Sequence, residues 1–223
     1  GHASEARYAA TYPRKTHDWN DHNDIRTLIE RLNTARRGGL AAQRAFFEQH
    51  FDIDLLLNYV AIMNWSVPFD DMFQNHFWYQ RLSDGKWMLT PWDLDRNFGE
   101  WQGATSSLFM GQQGDSSNRS GWWHYLKDSF LRSYREEYLD RLFTLNNTLL
   151  LPENIDRLVD LVTAESNPAE AAAGAGGLSC SFPGRAASFK SFARQRHDFV
   201  NRTIASVDVN AGPDQTVFTG QAV

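Results

Sequence analysis

The run from Asn64 to Gly99 reads NWSVPFDDMFQNHFWYQRLSDGKWMLTPWDLDRNFG, and it holds the densest set of carboxylates, amides and aromatic rings in the chain. Two aromatic-rich halves flank Asp84 and Gly85. Because an Asp-Gly pair tolerates the positive φ angles of a tight turn, this pattern predicts an antiparallel β-hairpin. The rest of the chain is predicted to be organised around that hairpin.

A turn centred on Asp84 and Gly85 predicts that Asn75 and His76 lie opposite Asp93 and Leu94 at the open end of the hairpin. Asp70, five residues before Asn75, lies in the segment that enters this end, and Asp95 follows Asp93 closely. One carboxamide among several carboxylates forms an oxygen-rich site, which suits a hard divalent cation such as Mg²⁺.

Composition limits the class of protein. The 223 residues are 42% hydrophobic and 13% aromatic, enough for one sizeable core. A net charge of −5 argues against a nucleic-acid or anionic-membrane binder, since such proteins need a basic face. The single cysteine, Cys180, excludes an internal disulfide, and no apolar run approaches the length of a membrane span. The start at Gly-His rather than Met indicates a processed or engineered beginning.

Apolar spacing predicts three helices before the hairpin, at about 24–37, 40–50 and 51–65. The third is apolar on nearly every side, so we expect it at the centre of the core, and Pro68 ends it shortly before Asp70. Residues 1–20 have an extended-looking start followed by a polar loop, and we interpret them as the end of an upstream lobe and a hinge.

Beyond the hairpin, a Gly/Ser/Gln/Asn-rich loop is predicted over 102–121, followed by helical patterns over 122–150 and from Ile155 onward. An Ala/Gly-rich connection over 168–177, helical at most at its start, leads to a last helix that ends near Ser206. The predicted fold class is therefore α+β, mostly helical, with a catalytic region over 21–207. Residues 208–223 are turn-rich, and they resemble a linker or the opening strand of a PKD domain.

The order Asp70, Asn75, hairpin, Asp93 matches the working parts of a protein-kinase catalytic lobe, in which an Asp orients the acceptor hydroxyl and an Asn and a second Asp hold metal ions. Pro68 and Phe69 depart from the His-Arg-Asp triplet of ordinary kinases. For that reason the whole lobe is expected to be an atypical version of the kinase fold.

Two neighbouring sequences need separate interpretation. Asn97-Phe98-Gly99 resembles Asp-Phe-Gly, but a neutral amide is a poorer metal ligand than Asp93, so we assign Phe98-Gly99 to packing and a turn. Asp71 is a rival of Asp70 whose spacing to Asn75 is one residue short; for Asp71 and Asp84, helix or turn capping is the favoured interpretation.

The segments DDMFQNHFWY over 70–79 and PWDLDRNFG over 91–99 closely resemble the spore coat protein H (CotH) kinase family of atypical secretory-type protein kinases. The resemblance extends more loosely from about Tyr8 to Val207. It implies that Asp70 is the catalytic residue, that Asn75 and Asp93 bind Mg²⁺ and the ATP phosphates, and that Asp95 supports the metal. The phosphate cover and its lysine are expected before residue 1, since Lys15 is a poor substitute.

From these observations we predict a secreted or cell-surface bacterial protein that acts as a Mg²⁺-dependent, ATP-using phosphotransferase on a Ser or Thr hydroxyl of a surface or extracellular protein. The alternative is a non-catalytic surface, adhesion or glycan-binding module with a kinase-like shape and a surface or matrix partner.

Other chemically suggestive residues receive structural interpretations. His17, His22 and His50 have no zinc-type spacing and are predicted at the surface. The aromatic residues Trp122, Trp123 and Tyr125 are assigned mostly to the core, and Cys180 to an unused thiol.

Overall fold

The structure is a computed structural model that describes residues 4–16, 21–68, 75–100, 102–115, 124–173 and 182–210. Of residues 167–173, 182–184 and 208–210 it describes the backbone alone. The mostly helical α+β class with one hairpin is confirmed. The elements are α1 Glu5–Thr11, α2 Asn23–Arg37, α3 Gly39–His50, α4 Ile53–Ser66, β1 His76–Gln80, β2 Trp87–Pro91, α5 Tyr125–Ser133, α6 Arg135–Asn146, α7 Pro152–Ala173 and α8 Phe182–Asn210.

The predicted central helix, α4, lies in the middle of the core. Its side chains Val60 and Ala61 are fully buried, and it packs against α6 and β2. The helix begins at an Asp52 cap, whose carboxylate accepts a hydrogen bond of 3.3 Å from the Leu55 amide. Because α4 is mostly buried from Leu56 to Ser66, it provides a rigid support for the chain that follows it.

The other predicted helices surround α4. Helix α2 buries Ile25, Leu28 and Leu32 on one face, and it ends at Gly38 as the Gly-Gly pair predicts. Helix α3 packs on α2 and α5, while α8 packs on α6 and α7. None of the described helices is both long and apolar enough to cross a membrane.

The prediction of an extended start to the chain was wrong. Residues Glu5–Thr11 form a helix, capped by the Ser4 side chain and rich in alanine, a strong helix former. His22, predicted at the surface, is buried: its Nδ1 lies 2.5 Å from the Glu5 carboxylate and its Nε2 3.1 Å from the Tyr12 carbonyl oxygen. These contacts join α1 to the start of α2.

The hairpin is present, but its predicted register was wrong by two residues. His76 pairs with Pro91 and Gln80 with Trp87, so that the connection is a four-residue loop over 82–85 rather than a two-residue turn. Arg81 and Lys86 close this loop with a backbone hydrogen bond of 2.8 Å, and Gly85 has a φ of 69°. The Arg81 side chain also bonds Asp52, which fixes the loop on the start of α4. A shift of two residues leaves every side chain on its predicted face.

The two hairpin faces differ. On the inner face, the Trp78 ring lies 6.3 Å from that of Phe51 and 6.0 Å from that of Trp87, and these contacts join the sheet to the core. Phe77 and Tyr79 lie on the outer face and are exposed. Among the described residues, the hairpin is therefore joined to the core through its inner face.

Later elements follow the sequence with two differences. Tyr125 is 53% exposed rather than in the core, and the Arg36 guanidinium lies 4.0 Å from its ring centre. Helix α7 continues to Ala173, in agreement with a helical start to the Ala/Gly-rich segment. Helix α8 continues to Asn210, beyond the predicted end near Ser206, so that 208–210 are helical rather than extended. The remainder of the PKD-like segment, and residues 17, 122, 123 and 180, lie outside the described residues.

Candidate functional site

The site begins where the chain leaves α4. Val67 caps that helix in the left-handed region, with a φ of 56° and a ψ of 63°, and its side chain is fully buried. A β-branched residue in this region costs roughly 1–2 kcal/mol, so the surrounding packing must hold it there. Pro68 follows, and Asp70, the predicted catalytic residue, lies just outside the described residues.

Asn75 and Asp93 meet at the open end of the hairpin. The Asn75 carbonyl oxygen accepts a hydrogen bond of 2.8 Å from the Trp92 amide. The Asn75 side-chain amide donates to the backbone oxygen of Asp93 over 3.3 Å. The two residues are neighbours, as the hairpin prediction required, although the register that makes them so differs from the predicted one.

The carboxylates beside this junction are open to solvent. Asp93 and Asp95 are both exposed, and within the described ranges neither carboxylate has a hydrogen bond or an ion pair. Their oxygens are therefore available to a cation. Among the described residues, no group of three or more His, Cys, Asp or Glu side chains is arranged to hold a metal ion. The side-chain oxygen of Asn75, at the same end of the hairpin, is a further oxygen ligand that this site offers.

Asn97, Phe98 and Gly99 form the support behind the open carboxylates. The Phe98 amide donates to the Ser66 carbonyl oxygen over 2.9 Å, and the buried Asn97 amide donates to the Ser66 hydroxyl over 3.2 Å. The Phe98 ring lies 6.0 Å from that of Trp65. The segment that carries Asp93 is therefore hydrogen-bonded to Ser66, the last residue of α4, and the buried Asn97 side chain contributes one of these bonds.

Unusual backbone angles concentrate around this site. Among the described residues, four that are not glycine have a positive φ: Val67 at 56°, Asn75 at 30°, Asp93 at 53° and Phe98 at 54°. All four lie at the end of α4 or at the open end of the hairpin. Strained backbone of this kind clusters at functional sites, where the surrounding structure holds it in place.

An exposed aromatic face adjoins the carboxylates. Trp92 is 62% exposed, and its ring centre lies 5.6 Å from that of Phe77. Tyr79, on the same face of β1, is 49% exposed. The exposed rings of Phe77 and Trp92 are tilted by 57° to each other and offer an apolar surface, next to acidic oxygens, on which a ring-shaped ligand can pack.

Sequence reasoning missed Arg196, which lies on α8 and is fully buried. Its guanidinium donates to four backbone oxygens, those of Asn64, Trp65, Ala104 and Ser106. The sequence does contain a pattern that indicates its burial. Residues 192, 196 and 200 share one face of the helix, and the apolar side chains of Phe192 and Val200 identify that face as buried.

A groove of about 610 Å³ lies away from this site, between α2 and α3, and is lined by residues that include Arg31 and His50. Burial and the neighbouring Arg31 lower the pKa of His50 below its ordinary value. The groove contains none of the predicted site residues.

Comparison with protein families supplies one match. A family model described as CotH kinase protein matches residues 1–200. Comparisons with curated proteins and with solved structures found no match.

Proposed function

Since this chain belongs to the CotH kinase protein family, we propose that it is a phosphotransferase that moves the γ-phosphate of ATP to a Ser or Thr hydroxyl of a surface or extracellular protein. The observation that carries the proposal is the meeting of Asn75 and Asp93 at the open end of the hairpin, with the segment after Asp93 hydrogen-bonded to Ser66 at the end of α4. Phosphoryl transfer needs fixed oxygen ligands and an aligned acceptor more than covalent chemistry from the protein.

The residues present fit Mg²⁺. Asp93 and Asp95 supply exposed carboxylate oxygens, and Asn75 supplies an amide oxygen. Mg²⁺ prefers oxygen ligands and keeps several waters, so it is suited to an open site with few protein ligands. Held by these residues, the ion would supply positive charge that offsets the negative charge of the phosphates during transfer.

Each residue then has a distinct task. Asn75 and Asp93 would hold Mg²⁺ near the phosphates, and Asp95 would be a supporting carboxylate. Asp70 orients the acceptor hydroxyl and accepts its proton while a new bond forms between that oxygen and the γ-phosphorus. The bond between the γ-phosphorus and the bridging oxygen breaks in the same step, and ADP leaves.

The exposed aromatic face gives support for a nucleotide. Phe77 and Trp92 offer exposed ring faces next to Asp93 on which a nucleotide base can stack, while a cation held by the carboxylates would offset their repulsion of its phosphates. The negative net charge of the chain favours a protein acceptor over nucleic acid. A surface or extracellular location remains part of the proposal.

The test is transfer of radiolabelled phosphate from ATP to a generic protein in the presence of Mg²⁺, measured on the full-length protein. We expect Asp70→Ala and Asp93→Ala to lose transfer by at least about a hundredfold, and a chelator to abolish it. Asp84→Ala is the matched control, because Asp84 lies at the opposite end of the hairpin and pairs with Arg81. Transfer at wild-type rates in both site variants would refute the proposal.

Metal binding can be followed separately from transfer. Mn²⁺, as a paramagnetic substitute, should broaden the amide signals of Asn75 and Asp93 in the wild-type protein. Asp93→Ala should weaken this broadening, and Asp84→Ala should leave it unchanged. Equal broadening in all three proteins would contradict the assigned ligands.

The exposed aromatic face also favours a second candidate, a non-catalytic adhesion module that binds glycans. Sugar rings stack on exposed tryptophan and tyrosine side chains, and Tyr79 and Trp92 are both available. Calorimetry separates the two functions. Saturable glycan binding without any heat from ATP and Mg²⁺ favours the adhesion module, and the reverse result favours the kinase.

A further inference from the structure

Arg196 differs from the other arginines described here in its environment. Its side chain is fully buried, and within the described residues no carboxylate pairs with it. Burial lowers the pKa of its guanidinium to about 10, so the group remains charged at neutral pH. A buried charge is costly unless its donors form hydrogen bonds. The Arg196 guanidinium donates all of its described hydrogen bonds to backbone oxygens.

Two of those oxygens belong to the end of α4. The Nε of Arg196 donates to Trp65 over 3.1 Å, and one terminal nitrogen donates to Asn64. Both carbonyls lie in the last turn of α4, where carbonyl groups lack partners within the helix. A positive group at this end also complements the helix dipole. Arg196 therefore fixes the turn from which the chain proceeds through Val67 to Asp70.

The other two oxygens belong to the loop that follows Gly99. The second terminal nitrogen donates to Ala104 over 3.0 Å and to Ser106. The segment between Asp93 and Gly99 is bonded to Ser66, the residue that follows Trp65. One side chain thus connects the end of α4, which leads to Asp70, with the loop that continues from the Asp93 segment.

We propose that Arg196 is a positioning residue of the candidate catalytic site: it holds the segments before Asp70 and after Asp93 in fixed relation without touching the substrate. The proposal rests on the proposed phosphotransfer function. Lysine cannot reproduce this role, because a single ammonium group lacks the planar fork that directs hydrogen bonds to oxygens on two different segments.

The test compares Arg196→Lys with Arg194→Lys in the full-length protein. Arg194 lies on the same helix but pairs with Asp156 at the surface. Arg194→Lys therefore controls for the effect of replacing a guanidinium with an ammonium group on α8. Because a small misplacement of reacting groups lowers the rate strongly, we expect Arg196→Lys to lower kcat about 10- to 100-fold. The KM for ATP should change less than about twofold, since the metal and base contacts are local to the hairpin.

Hydrogen exchange provides a readout that needs no catalysis. In Arg196→Lys, the amide of Phe98, which donates to Ser66, should exchange faster, while the amides of α2 should exchange at wild-type rates. Arg194→Lys should leave both unchanged. If the wild-type protein is inactive, the proposed function is refuted, but the exchange measurement still tests whether Arg196 positions the two segments.

Three results would overturn the inference: wild-type kcat in Arg196→Lys, a rise in KM that accounts for the whole loss, or unchanged exchange at Phe98. If Arg196→Lys does not fold, hydrogen exchange in the wild-type protein tests the inference instead. The amides of Val67 and Phe98 are then expected to exchange only through global unfolding, and exchange through a local opening would overturn the inference.

Discussion

Replacing Trp65 by Phe tests how the core supports the end of α4. Trp65 is 1% exposed, and its indole nitrogen donates to the Asn146 side-chain oxygen over 2.8 Å. Asn146 is fully buried, so its side-chain oxygen is left without a donor from the protein. The ring of Trp65 also contacts those of Phe98 and Phe192. The substitution therefore removes a hydrogen bond and leaves a space beside the candidate site.

The expected loss follows from these two changes. An acceptor left buried without a donor costs about 1–3 kcal/mol. The indole exceeds a phenyl ring by roughly 40 Å³, and at ~24 cal/mol per Å³ of cavity this adds about 1 kcal/mol. We therefore expect the free energy of unfolding to fall by about 2–4 kcal/mol. For a chain of this size the melting temperature falls by roughly 2–4 °C per kcal/mol.

Urea denaturation followed by circular dichroism measures this loss, and an unchanged slope with urea shows that the same surface is exposed on unfolding. Trp92→Phe is the matched control. Trp92 is 62% exposed, so its replacement should change the free energy of unfolding by less than about 0.5 kcal/mol. Equal effects of the two substitutions, or a loss below about 1 kcal/mol for Trp65→Phe, would refute the reasoning.

Two further predictions concern backbone strain and charge. Gly99→Ala should destabilise the protein by about 1–2 kcal/mol in the same urea assay, because Gly99 has a φ of 89° and the added Cβ would lie 3.0 Å from the Phe192 ring. Gly103→Ala, whose Cβ would meet no atom within 4 Å, should be near neutral, and equal losses would contradict the strain argument. The Arg81 side chain lowers the pKa of Asp84 to about 2 from 3.8, so the stabilisation from this pair is present above pH 3.8 and is lost as pH falls through about 2. In Arg81→Gln, the pKa of Asp84, measured by NMR titration, should rise toward 3.8. An unchanged pKa would rule out Arg81 as the cause of the low value.

Local patterns were sufficient to predict the elements that position the candidate site. The apolar positions of α4 exclude a surface helix, and the Asp-Gly pair between aromatic runs indicates a hairpin. Together they brought Asn75 to Asp93, which is the contact the structure shows. Both signals act over a few residues, where spacing and turn chemistry dominate.

Features that depend on distant contacts were not predictable in this way. The hairpin register follows from the Arg81 side chain, which bonds Asp84 in its own loop and Asp52 on α4. His22 is buried because α1 covers it, which its polar surroundings in sequence do not indicate. The roles assigned to Asp70, Asn75, Asp93 and Asp95 remain predictions: Asp70 lies outside the described residues, and the contact between Asn75 and Asp93 shows only that these two are neighbours.

The bonds of Arg196 also affect how this chain can vary in sequence. All four acceptors are backbone oxygens, which every amino acid carries, so replacements at 104 or 106 do not remove them. Because Ala104 is buried, only a small side chain fits at this position, but the chemical type of that side chain does not affect the hydrogen bond from Arg196. Relatives of this protein should therefore keep the arginine while the loop it holds diverges, and no covarying partner residue should reveal the link.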